Sequence, residues 1–206
     1  LGVMAGYTRS NGETRSTRSN HIANNTLDGY SVGAYATWYQ NAESRSGAYL
    51  DSWLQYSWYD AETNGQGLAS EQYDIDGLSA SVETGYRFEL AENSNGHVYL
   101  TPQAQVIWNN IQADKHYDIQ GTPIESTGNN NVQTRLGIKL SLDGVHDADR
   151  GTDKLFTVYS ELNWLYNSKH AGTVMNGVKV TQAGDRHIGE IKLGFEGQLN
   201  KHVDVW

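Results

Sequence analysis

The chain has 206 residues, a formal charge of −9, 22 Gly, 13 Tyr, 6 Trp, 2 Pro and no Cys. One domain uses the whole length. Absent cysteine excludes disulfide scaffolds, Cys-ligated zinc and a thiol nucleophile, and the acidic balance excludes a nucleic-acid partner, which needs clustered Lys and Arg. No apolar run approaches the ~20 residues of a membrane helix. The mean hydropathy of −0.63 has a soluble value, but a transmembrane barrel gives the same value because half of each strand faces a polar lumen.

The chain opens directly in a strand pattern at Leu1 without a signal peptide, so an upstream part is expected outside this sequence. Amphipathic stretches at 1–8, 29–40 and 47–60 are rich in Gly and aromatics. From Leu78 to Glu89 the alternation is clean: Leu78, Ala80, Val82, Thr84, Tyr86 and Phe88 share one face, and Glu83, Arg87 and Glu89 lie on the other. Next, Val98, Leu100, Pro102, Ala104, Val106 and Trp108 oppose Thr101, Gln103, Gln105 and Asn109. Leu136, Ile138 and Leu140 oppose Gln133, Arg135, Lys139 and Ser141. Val158, Leu162 and Trp164 oppose Tyr159, Glu161 and Asn163, and Ile191, Leu193, Phe195 and Leu199 oppose Glu190, Lys192, Glu196 and Gln198.

Polar gaps between these stretches alternate in length. Long ones lie near 8–29, 60–76, 112–131 and 168–185, and short ones near 40–46, 90–96, 143–154 and 199–202. Long loops on one side and short turns on the other describe an antiparallel up-and-down barrel crossing an outer membrane. About nine strands of roughly 8–14 residues are expected, whereas a spanning strand needs ~9–11 and a globular one has ~5–6. Strand ends at Tyr56, Trp58, Tyr59, Trp108, Trp164 and Tyr166 on one side, and at Trp38, Tyr39, Tyr86 and Phe88 on the other, are expected to form two aromatic girdles. An odd strand count cannot close antiparallel, so missing strands are expected from elsewhere.

The expected inward polar set is Asp51, Gln55, Glu83, Arg87, Gln103, Gln105, Arg135, Lys139, Glu161, Asn163, Glu190, Lys192 and Glu196. It fits a wet, self-satisfied lumen, and equally a lining for a threaded polypeptide gripped by charge-assisted hydrogen bonds. Asp147, Asp149, Gly151 and Asp153 loosely resemble a calcium loop but lack its closing Glu, so a solvated turn is expected. The seven His fall in gaps or at strand ends, so no enzyme and no cofactor is expected. A surface hydrolase using His116, His170 or His187 beside a carboxylate is one alternative; a porin-like pore and a soluble ligand-binding barrel are the others.

The segments LGVMAGY (1–7), GYSVGAYATWY (29–39), GAYLDSWLQYSWYD (47–60), DGLSASVETGYRF (76–88), LTPQAQVIW (100–108), QTRLGIKLSL (133–142), VYSELNWLYN (158–167) and GEIKLGFEGQLN (189–200) resemble, in order and spacing, the autotransporter translocator domain of type V secretion, in its AIDA-type adhesin branch. The resemblance implies a 12-stranded outer-membrane barrel with a helix through its pore, joined to an extracellular passenger. It implies that residues 1–206 span the third strand to the start of the eleventh, with the pore helix, the first two strands and the last strand outside this chain and Trp206 a cut. It implies lumen contacts to the helix or passenger from Gln103, Gln105, Arg135, Glu161, Asn163 and Glu190. The implied partners are the chain's own passenger and pore helix, the outer-membrane insertion machinery, and the lipid and lipopolysaccharide of the outer membrane.

Overall fold

Period-two alternation, abundant Tyr, Trp and Val, and only two prolines leave strands as the one regular structure these residues support. A computed structural model describes residues 1–15, 21–41, 46–67, 69–93, 96–118, 120–144, 154–200 and 203–205. Its strands are β1 Gly2–Arg15, β2 Ile22–Tyr39, β3 Gly47–Gly65, β4 Glu71–Asn93, β5 Gly96–Ala113, β6 His116–Tyr117, β7 Pro123–Thr127, β8 Asn131–Gly144, β9 Leu155–Asn167, β10 Gly172–Met175, β11 Val178–Thr181, β12 His187–Asn200 and β13 Val203–Val205. Nine of them form one antiparallel sheet in the order β1-β2-β3-β4-β5-β8-β9-β12-β13. The expected calcium-like turn at 147–153 lies outside the described residues.

Two expectations need correction. Strands β3 and β4 have 19 and 23 residues, well beyond the 8–14 read from the sequence. The apolar alternation stops near Tyr30 and Trp58, but the β2–β3 ladder continues without a break to Ala23↔Gly65, through polar pairs such as Asn25↔Thr63 and Thr26↔Glu62. At ~3.3 Å per residue a 23-residue strand is far longer than the ~30 Å hydrocarbon layer requires even when tilted, so its polar end stands clear of the apolar band. The gaps expected at 112–131 and 168–185 are also not plain loops. They pair into a second sheet, ordered β11-β10-β7-β6. Asn176 and Gly177, with φ of 47° and 79°, close its β10–β11 hairpin. In the β6–β7 turn Asp118 Oδ1 accepts the amides of Gln120 and Thr122 at 2.8 and 2.7 Å, and these bonds hold its carboxyl below the usual aspartate range.

The main sheet inverts the polarity of a soluble protein. Ser57, Ser79, Ser81, Thr101, Ser141, Asp143, Glu161 and Asn163 are buried, while Val82, Val106, Leu136, Leu140, Leu162, Ile191 and Leu193 are exposed. The sheet curls toward its polar face, since Arg87 of β4 reaches Asp143 of β8 across the whole of β5 at 2.5 Å. Exposing large apolar side chains costs ~1.5–3 kcal/mol each in water, so the convex face as a whole disfavours an aqueous setting by tens of kcal/mol. A hydrocarbon environment removes that cost, and the ladder satisfies the backbone within the wall. Tyr7, Tyr30, Tyr56, Trp58 and Trp164 on the convex face mark one end of the apolar band, and Trp38, Tyr86 and Phe88 mark the other. Tyr39 and Tyr59, expected among these rings, share the other face by register with Tyr49 and Gly29.

On the concave face some tyrosine rings lie flat over a glycine of the adjacent strand. A Cβ built on Gly85 would stand 2.6 Å from the Tyr49 ring and 2.7 Å from the Pro102 carbonyl, so only glycine fits beneath that ring. On the convex face, Gly189 has nothing within 4 Å of such a Cβ. Overpacking a tight site costs ~1–3 kcal/mol. Gly85→Ala is therefore expected to lower the unfolding free energy of the barrel by that order and so its denaturant midpoint, and Gly189→Ala to leave both unchanged, read from the heat-modifiable band on cold gels across a denaturant series.

Candidate functional site

The concave face carries the chemistry, and strand register builds it row by row. Glu83 of β4 faces Gln105 of β5, which faces Arg135 of β8. One row along, Gln103 faces Gly137, which faces Asn163 of β9, which faces Glu190 of β12. In the next row Lys139 faces Glu161, which faces Lys192. Every one of these side chains points the same way because each sits at an odd step of its strand or at the matching step of its neighbour.

Arg135 is the hub. Its guanidinium contacts Glu83 Oε2 at 2.5 Å and Glu161 Oε1 at 3.1 Å, bridging two strands on opposite sides of it. Asn163 donates to Glu161 at 2.7 Å and to Glu190 at 2.9 Å, and Lys192 lies 3.1 Å from Glu190. The Tyr49 hydroxyl donates to Glu83 at 2.7 Å and lies 3.4 Å from Gln103 Oε1. Three carboxylates meet two cations here, leaving one net negative charge in a partly desolvated wall. Gly137 makes this packing possible: a Cβ there would collide with Asn163 Oδ1, which is tucked against the bare backbone.

A second cluster lies toward the short turns. Arg87 pairs with Asp143 and stacks 3.7 Å over the Tyr99 ring, and Thr157 donates to Asp143 at 2.9 Å. Lys139 contacts Glu196 at 3.4 Å and covers the Tyr159 ring at 4.0 Å. Beside this cluster the β-bulge after Glu89 turns Glu89 and Glu92 toward His97, with ligand atoms within 4.8 Å of one another. The 2.8 Å contact between His97 Nδ1 and Glu89 Oε1 accounts for that group as a hydrogen-bonded pair.

Of the six expected contact residues, Arg135, Glu161, Asn163 and Glu190 form one network, and Gln103 joins it through Tyr49. Gln105 shares the face but donates to Ser81 at 2.8 Å, apart from the ionic cluster. Asp143, Tyr99 and Thr157 were missed. Asp143 continues the step Lys139, Ser141 along β8, and extending that alternation past Leu142 finds it. Two of the three histidines of the hydrolase alternative are otherwise engaged. His116 stacks on Tyr73 with ring centroids 4.2 Å apart, His187 stacks on Trp164 at 5.6 Å, and among the described residues neither these two nor His170 makes an ion pair with a carboxylate.

An antiparallel wall, apolar and aromatic-banded outside and ion-paired within, defines the class of outer-membrane β-barrels. Comparison with known proteins narrows it. The Autotransporter beta-domain profile matches residues 1–206. The Escherichia coli protein YuaQ is 44% identical over all of this chain and 15% of its own length, and the E. coli autotransporter adhesin AIDA-I is 39% identical over all of this chain and 16% of its length. The crystal structure of the transport unit of AIDA-I superposes with a TM-score of 0.87 at 36% identity, covering 98% of this chain and 65% of that one. The chain belongs to the autotransporter β-domain family, and its place is the outer membrane. It spans less than half the length of these curated relatives.

Removing one partner of a buried ion pair strands the other, at a cost of ~3–5 kcal/mol, whereas an exposed pair is worth ~0–1 kcal/mol. Arg135→Leu is expected to fall in the first range, because Glu83 and Glu161 both lose their cation. Lys115→Ala, which removes only the solvent-exposed pair with Glu125, is expected to leave stability unchanged. Equilibrium unfolding of the barrel in detergent separates the two.

Proposed function

We propose that this chain is the wall of a translocator through which, or with which, a passenger N-terminal to it is exported and anchored at the cell surface, and that the passenger is an adhesin. The relative named as an autotransporter adhesin and the structure named as its transport unit support this reading. The observation that carries it is the concave face itself. An ion-paired strip with residual negative charge, open to the lumen at Glu190 and Lys192, suits a polypeptide held by charge-assisted hydrogen bonds. Gln103, Gln105, Arg135, Glu161, Asn163 and Glu190 are its contacts to a pore helix or to the passenger in transit. The wall does no covalent chemistry. Its convex face meets lipid and lipopolysaccharide, and the outer-membrane insertion machinery delivers it to the bilayer.

Photo-crosslinking in the full-length protein tests this. A photoreactive residue at Gln103 or Glu190 is expected to capture the segment immediately N-terminal to the barrel, with the passenger open to external protease. The same residue at Val106 or Leu162 captures none of it. A passenger held in the periplasm, or an open pore passing small solutes with no adduct at either lumen position, contradicts the proposal and favours a porin-like pore.

A further inference from the structure

Every cation that the described residues place in the lumen network is already engaged, yet Asp51, a carboxylate in its midst, has none. Asp51 lies on the concave face of β3, on the same alternation as buried Gly47 and Ser57. It faces Thr37 on one side and Glu83 on the other. Among the described residues its one polar partner is the Thr37 hydroxyl, which donates to Oδ2 at 2.5 Å. Glu83 opposite is a like charge, and directly opposed like charges destabilise a sheet. Arg135 serves Glu83 and Glu161, Arg87 serves Asp143, Lys139 serves Glu196, and Lys192 serves Glu190 and Glu161. Asp51 is half-buried, and a neutral hydroxyl does not answer its charge.

Water in an open lumen solvates such a carboxylate. An occupant that fills the lumen removes that water, and a desolvated carboxylate then needs a cation or loses its charge. Depth matters as well. Leu50, one residue away, faces Trp38 in the aromatic band at the short-turn end, so Asp51 stands just inside the periplasmic mouth.

Resting on the translocator reading above, we propose that Asp51 is the docking point for a Lys or Arg side chain of the segment that occupies the pore, and that this ion pair seals the barrel at its periplasmic end. The pair is formed by the occupant and is complementary in charge to a carboxylate that the described residues leave without a cation. Arg135 and its partners meet the occupant with their charges already paired, and Asp51 meets it with a charge still to be answered.

The test uses the full-length protein in the outer membrane, with two readouts: passenger at the cell surface, and influx of a small chromogenic solute. Asp51→Asn is expected to display its passenger as the parent does while influx rises several-fold. Asp51→Glu is expected to match the parent, and Asp51→Lys to leak most. A Lys→Glu or Arg→Glu change in the segment preceding the barrel is expected to reseal Asp51→Lys. Equal influx in all three variants, equal leakage from Asp51→Glu and Asp51→Asn, or failure of every charge exchange to reseal overturns the proposal. If all three variants fail to give a heat-modifiable barrel, Asp51 is part of the wall and the proposal is overturned. A parent protein whose passenger never reaches the surface sinks the translocator reading instead, whatever Asp51 does.

Discussion

Each strand of this wall separates two solvents only one side chain apart, and most of the structure follows from that. A backbone in hydrocarbon must satisfy every N–H and C=O within the protein, and an antiparallel ladder does so while sending alternate residues to opposite faces. Val82 can face lipid only because Ser81 and Glu83 face the other way. Neither face is free to choose its own composition.

The lumen chemistry depends on the same alternation. Glycines on the concave face let neighbouring groups close over bare backbone, as Tyr49 does over Gly85 and Asn163 over Gly137. Ion pairs then tie strands that are not neighbours: Arg135 on β8 holds Glu83 on β4 across β5. Such pairs add little net stability against an apolar alternative, but breaking one strands a charge in the wall. The result is a mildly acidic surface, the feature on which the proposed contact with a passing or resting chain depends.

The sequence made the wall legible because a period of two is a direct image of two solvents. In β4 it assigned each residue from Leu78 to Glu89 to the face it occupies, and in β8 it did so for Leu136, Ile138 and Leu140 against Gln133, Arg135, Lys139 and Ser141. It failed where the solvent is water on both sides. Above the aromatic band the alternation of Asn24, Asn25, Thr26 and Glu62 carries no polarity contrast, so the strand extensions looked like loops. The second sheet was hidden for the same reason, although Asn176-Gly177 between Thr173-Val174-Met175 and Val178-Lys179-Val180 is a strong hairpin signal. Face assignment named the lumen residues, but pairing did not follow from it. That Arg135 chooses Glu83, two strands away, depends on a curvature no local pattern encodes.

Depth-resolved accessibility of single spin labels tests the two-solvent wall most directly, and the cysteine-free chain lets one introduced Cys report alone. Labels at Val82, Val106 and Leu162 are expected to respond to lipid-dissolved oxygen and to be shielded from a water-soluble relaxant. Labels at Ser81, Gln105 and Asn163 are expected to show the reverse, with the sign changing at every step along β4. Water accessibility at both sets, or a period other than two, contradicts the account.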